Sequence, residues 1–154
     1  MTDSVLSDGE RRFLLAARRA TLATTAADGR IRLVPICFAL VDGDAADPTQ
    51  PAIWSPLDEK PKSTADPHDL ARVRDLAARP AATLLVDRWD EDWTQLAWLR
   101  IEAIGSLVEP AAPGHAAAVT ALRERYPQYA NHRLEARPML RFEPIRAVSW
   151  GALD

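Results

Sequence analysis

Asp28-Gly29 stands between two runs of strand-forming residues, 20–25 and 31–41, and constrains the fold more than any other stretch of the chain. An Asp-Gly pair between such runs is a hairpin signal, because a type I′ turn needs positive φ at both central residues. The chain is therefore expected to open its sheet with an antiparallel pair. Pro35 lies inside the second run. Proline has no N–H for the ladder, so this strand must lie at a sheet edge or carry a bulge there.

The rest of the chain extends the pattern. Ser7 and Glu10 have capping-box spacing, and Phe13, Leu14 and Ala17 form an apolar stripe, so residues 1–19 are expected to hold a helix. Asp42-Gly43-Asp44 opens a polar loop that runs to Pro51, and 52–55 reads as a short strand. Residues 56–64 form a loop with two prolines. A helix then begins at Asp66 as N-cap with Pro67 in its first turn, and ends at Pro80. Strands are expected over 82–87 and 96–108, with a loop at 89–93 and a helix over 113–126. Two final strands, 139–142 and 147–150, are separated by Pro144. Six or seven strands at hairpin spacing, with three helices that do not alternate with them, disfavour a doubly wound parallel sheet. An α+β fold is expected instead, a mostly antiparallel barrel with peripheral helices. Residues 20–150 form its core within a single domain spanning 1–154, a usual domain length.

Charge and composition exclude several function classes. The net charge of −3 gives no electrostatic reason to expect nucleic acid. No apolar run approaches the roughly 18 residues of a membrane span, and the N-terminus lacks a signal-peptide pattern, so a cytoplasmic protein without a membrane partner is expected. Cys37 is the only cysteine, which excludes an intrachain disulfide and a thiolate metal cluster. Its place in an apolar run suits a structural residue better than a nucleophile. His68, His115 and His132 show no metal-ligand spacing, so no metal is expected.

Three features could carry chemistry. Lys60 and Lys62 are the only lysines among 19 basic residues. With the hydroxyls of Ser63 and Thr64 beside them and a helix following, they could converge on one phosphate. Taken alone, a solvated surface loop is the commoner explanation. The five tryptophans, Trp54, Trp89, Trp93, Trp98 and Trp150, suit core and interface packing. Trp89 and Trp93 flank an acidic loop, where a covering subunit or ligand would account for them. Arg100, on an otherwise apolar strand, is either an outward-facing charge or a contact for an anion or carbonyl.

The segments ATLATTAADGRIRLVPICFAL, IWSPLDEKPKST, ARPAATLLVDRWDEDWTQLAWLRIEA and RAVSWG, in this order, resemble the pyridoxamine-phosphate-oxidase-like, FMN-binding split-barrel superfamily. Within it the chain looks most like the coenzyme F420-dependent branch, over roughly residues 15–150. The resemblance implies a split barrel and a homodimer with its cofactor in a groove between subunits. Val34, Pro35, Ile36 and Cys37 match the strand whose backbone lines the ring, and Trp54 and Ser55 match its ring and ribityl neighbours. Lys60 and Lys62 match the pair that grips the cofactor phosphate, with Ser63 as a further donor. Trp93, Trp98 and Arg100 would reach the groove from the other subunit. The implied activity is hydride transfer from F420 to an electron-poor small organic substrate, with no catalytic side chain identified. The alternatives are an FMN-dependent reductase or oxidase, a non-catalytic flavin-, deazaflavin- or haem-binding split barrel, and a dimeric scaffold without a small-molecule site.

Overall fold

Ser7 starts the first helix, as its spacing predicts. Its Oγ accepts from the Glu10 N–H at 3.2 Å, and the Glu10 carboxylate accepts from the Ser7 N–H at 2.9 Å. Two of the helix's orphan donors are satisfied in this way. The helix, α1 (Asp8–Ala16), turns Phe13 and Leu14 into the core. The computed structural model describes residues 4–43, 50–57 and 66–154.

Seven strands follow: β1 (Ala20–Thr25), β2 (Ile31–Ile36), β3 (Ala39–Val41), β4 (Ala52–Pro56), β5 (Ala81–Arg88), β6 (Ala97–Val108) and β7 (Met139–Gly151). They form one sheet in the order β2-β1-β5-β6-β7-β4-β3, with every pairing antiparallel. β2 and β3 lie at opposite ends of this order, yet only Cys37 and Phe38 separate them. Three Cα steps span at most about 11 Å. The sheet must therefore curl until its two ends meet, and the result is a split barrel. The sequence suggested one strand over 31–41; the structure breaks it at 37–38, where the chain passes from one end of the sheet to the other.

Two expectations about turns are also corrected. Gly29 takes φ +85°, and neither Ala27 nor Asp28 is left-handed. Gly29 donates to the Ala26 carbonyl and Ala26 to the Arg30 carbonyl, each at 2.9 Å. The hairpin thus closes with a three-residue loop ending in a left-handed glycine, not with a type I′ turn. Pro35 does lie on an end strand, opposite Thr21. Pro144 does not split its strand. Arg146 pairs with Glu102 while Pro144 pairs with Ala103, so Ile145 is an extra residue in a bulge and β7 runs through.

α2 (Ala71–Ala78) and α3 (His115–Arg125) complete the three α-helices among the described residues. Asp66 caps a short 3-10 turn at 67–69 ahead of α2, accepting from the His68 N–H at 2.9 Å. The barrel interior is filled by residues such as Leu22, Leu84, Leu99, Ile101 and Phe142. A second core forms where α3 covers β3 and β4, built around Trp54, Leu122, Tyr126 and Tyr129. Two arginines cap helix ends reciprocally. Arg125 donates to the Leu15 carbonyl at the end of α1, and Arg18 donates to the Arg125 carbonyl at the end of α3.

α2 is tied to the sheet by one buried carboxylate. Asp75 accepts from the Thr24 hydroxyl and from Arg32 Nε, both at 2.8 Å. Burial alone would push the Asp75 carboxyl up, but the bonds from Arg32 and Thr24 outweigh it and hold it below the ordinary carboxylate range.

Candidate functional site on the outer face of the sheet

Side chains alternate across β1, β5 and β6. Leu22, Leu84, Val86, Leu99 and Ile101 point into the barrel, which turns their neighbours outward. In the outward rows, Leu33, Ala23, Thr83 and Glu102 lie side by side across β2, β1, β5 and β6. The next row runs Pro35, Thr21, Leu85, Arg100 and Val148, and the next joins Asp87, Trp98 and Trp150. The middle strands supply mostly small side chains: Thr21, Ala23 and Thr83. Leu33 stands on one side, and Trp98 and Arg100 on the other. A groove of about 580 Å³ results, lined by these residues with Leu85 and Asp87. A hollow of about 310 Å³ adjoins it through Ala23 and Thr83 and extends to Ile31, Glu102 and Ile145.

The groove is apolar with isolated charges. The Arg100 guanidinium lies over the Trp98 ring, 5.7 Å from its centroid. Among the described residues neither Arg100 nor Asp87 forms an ion pair. Around the groove, Ile31, Leu33, Ile145 and Trp150 are each more than half exposed. Trp93 is 71% exposed and opens a 3-10 turn in the β5–β6 connection. Asp92 caps that turn. The Thr94 hydroxyl and N–H, which bond to its carboxylate at 2.7 and 3.0 Å, hold it below the usual carboxylate range.

The residues singled out in the sequence are dispersed more widely than the resemblance implies. Trp98 and Arg100 line the groove, and Pro35 faces outward in the same row as Arg100. Ile36 is buried in the barrel core and Val34 packs against it, so their side chains face away from the groove. Cys37 is half-buried beside the second core, and its carbonyl accepts from the Ser55 hydroxyl at 2.8 Å. Trp54 lies away from the groove. Its side chain is 1% exposed in the second core, so close to α3 that a Cβ on Gly114 would fall 2.9 Å from the ring. It has no free face for a ligand. Ser55 is likewise buried, with its hydroxyl committed to Cys37. Lys60, Lys62 and Ser63 lie outside the described residues. Thr21, Leu33, Thr83, Leu85 and Asp87 line the groove but were missed in the sequence. The signal that could have found them is period-two alternation, which assigns them to the face opposite Leu22, Leu84 and Val86.

The sequence matches no known family model and no curated protein. Solved structures do resemble it. A conserved hypothetical protein from Mycobacterium tuberculosis is 22% identical with a TM-score of 0.70, covering 98% of this chain and 88% of its own. HutZ, the haem storage protein from Vibrio cholerae, is 15% identical with a TM-score of 0.63, covering 92% of this chain and 90% of its own. An F420 reductase is 17% identical with a TM-score of 0.62, covering 93% of this chain and 98% of its own. At these identities the likeness is one of architecture alone: the chain has the pyridoxamine-phosphate-oxidase-like split-barrel fold.

Proposed function

We propose that two copies of this chain bind coenzyme F420 along the outer groove and reduce an electron-poor small organic substrate. The observation that carries this reading is the groove's lining. Leu33, Leu85 and Trp98 offer apolar and aromatic surface to a flat ring, while Thr21, Thr83 and Arg100 offer hydrogen-bond donors to its oxygen-bearing edge. The bound deazaflavin supplies the hydride, and the protein supplies orientation and electrostatics. Among the described residues Arg100 has no carboxylate partner to neutralise it, so its charge can polarise a carbonyl. Leu33 and Leu85 keep water from the ring. A second copy over the same face would enclose the groove, and Lys60, Lys62 and Ser63 would hold the cofactor phosphate.

The same lining suits FMN, which shares the flat ring and the phosphate. It suits haem less well. Thr21, Ala23, Leu33, Thr83, Leu85, Asp87, Trp98 and Arg100 include no His, Cys, Met or Tyr to ligate iron. The histidines are engaged elsewhere. His68 bridges Asp66 and Glu109, and these bonds, Glu109 first, raise its pKa above the ordinary value. His115 bonds the Arg137 carbonyl, and the His132 ring packs on Tyr129.

Titration of the full chain with F420, FMN and haemin, followed by single-turnover mixing of reduced F420 with an enone and an imine panel, tests the proposal. F420 is expected to bind and to be reoxidised by at least one acceptor. Arg100→Ala, Lys60→Ala and Lys62→Ala are each expected to weaken F420 binding by about 1–3 kcal/mol, the range for losing a charge-assisted hydrogen bond. Stoichiometric FMN in protein from a host without deazaflavin would move the assignment to FMN. Tight haemin binding without hydride transfer would make the protein a carrier.

A further inference from the structure

Four outward residues of β5 and β6 form a square. Asp87 lies directly opposite Trp98, and Leu85 directly opposite Arg100. The two charges therefore occupy one diagonal and the two apolar side chains the other. Diagonal positions on an antiparallel pair lie roughly 7–8 Å apart between Cα atoms, which an arginine side chain can bridge. Here it does not. Arg100 rests over Trp98 instead, and among the described residues the Asp87 side chain makes no hydrogen bond or ion pair. Unpaired opposite charges on an apolar groove wall leave both with unused capacity, the carboxylate to accept and the guanidinium to donate.

We propose that this square recognises a planar amphoteric substrate. Its cationic or N–H-bearing nitrogen would face Asp87, and its carboxylate or carbonyl would share the donors of Arg100. Its ring would lie beside the cofactor ring that takes the faces of Trp98 and Leu85. Asp87 becomes a specificity-determining residue that the sequence did not single out. The recognition rests on the groove of the proposed function but not on the identity of the cofactor. Zwitterions gain twice here, because each charge finds its complement. Asp87 and Arg100 are both exposed in the single chain, so the gain grows where a bound ring and a second copy exclude water. Singly charged molecules leave one protein charge unanswered.

The test uses calorimetric titration of the full chain with 4-(aminomethyl)benzoate, benzylammonium and benzoate as probes. The zwitterion is expected to bind at least roughly tenfold more tightly than either singly charged probe. Asp87→Asn should remove its advantage over benzoate, and Arg100→Gln its advantage over benzylammonium, with thermal unfolding unchanged in both. Equal affinity for the three probes, or equal loss of all three in both variants, overturns the inference. So does self-association that is lost on Asp87→Arg or Arg100→Asp and restored when the two are combined, because the charges would then answer each other across two copies. F420 binding is read on the same samples. Its absence beside an intact zwitterion preference sinks the cofactor assignment and supports this one.

Discussion

The strands of the sheet carry two faces built to opposite purposes. On the inner face Leu22, Leu99 and Ile101 lose all their exposure, as a barrel core demands. An antiparallel sheet that met only water on its other face would alternate these with polar residues. Instead the outer face carries Ile31 at 64% exposure, Leu33 at 66% and Trp150 at 54%, interrupted by single charges. Contiguous apolar surface rimmed by polar groups marks an interaction site. One alternating sequence therefore encodes a packed core on one side and an open apolar surface on the other, and the two sides should respond differently to substitution.

Leu99→Ala is the hardest blow to the inner face. Its side chain is fully enclosed, so truncation loses both transfer free energy and packing around the cavity it leaves, about 2–5 kcal/mol in urea unfolding. A loss under about 1 kcal/mol would mean that the barrel interior collapses easily and is not a packed core.

Arg32→Ala tests the seam where the two sides meet, since Arg32 on the exposed part of β2 reaches the buried Asp75. The half-exposed guanidinium is partly screened, which puts the loss in the lower part of about 1–3 kcal/mol. Its pH dependence is the sharper readout. Asp75 titrates below its ordinary value, so its contribution is present above the unfolded carboxyl pKa of about 3.9 and is lost as pH falls through the folded one. Once Asp75 is protonated in both proteins, Arg32 has no charge to answer. The gap between wild type and Arg32→Ala should therefore narrow below about pH 4, and a gap constant down to acid would remove Asp75 from the account.

Much of the fold was legible because it is local. The Ser7–Glu10 capping box, the hairpin around Gly29 and the edge demanded by Pro35 each depend on a few neighbouring residues, and each appears in the structure. What was misread depends on distant parts. Residues 33–41 stay apolar throughout, so nothing local announces that Cys37 and Phe38 carry the chain from one end of the sheet to the other. Pro144 looked like a breaker because the compensating bulge is visible only in its pairing with β6. The packing of Trp54 under α3 likewise joins residues far apart in the chain. In the groove, Trp98 and Arg100 were conspicuous by type. Asp87, Thr21 and Thr83 are ordinary surface residues, and only the register of β1, β5 and β6 brings them together.

Leu33→Ser is the smallest expected change in chain stability and the one that most sharpens the contrast. Leu33 is as apolar as Leu99, but it is already two-thirds exposed, so the folded chain loses little packing when it is truncated. Unfolding of dilute protein should shift by no more than about 0.5 kcal/mol, the usual range for surface substitutions. If two copies share this face, the effect emerges with concentration instead. Association stabilises the wild type by mass action, so its Tm should rise with concentration while that of Leu33→Ser stays flat. Sedimentation velocity over the same range should show the variant remaining at the lighter species. A dilute-limit loss as large as that of Leu99→Ala would mean that Leu33 is packed within the single chain, and the division between the two faces would fail. Equal association in both proteins would keep the division but move the second copy off this groove.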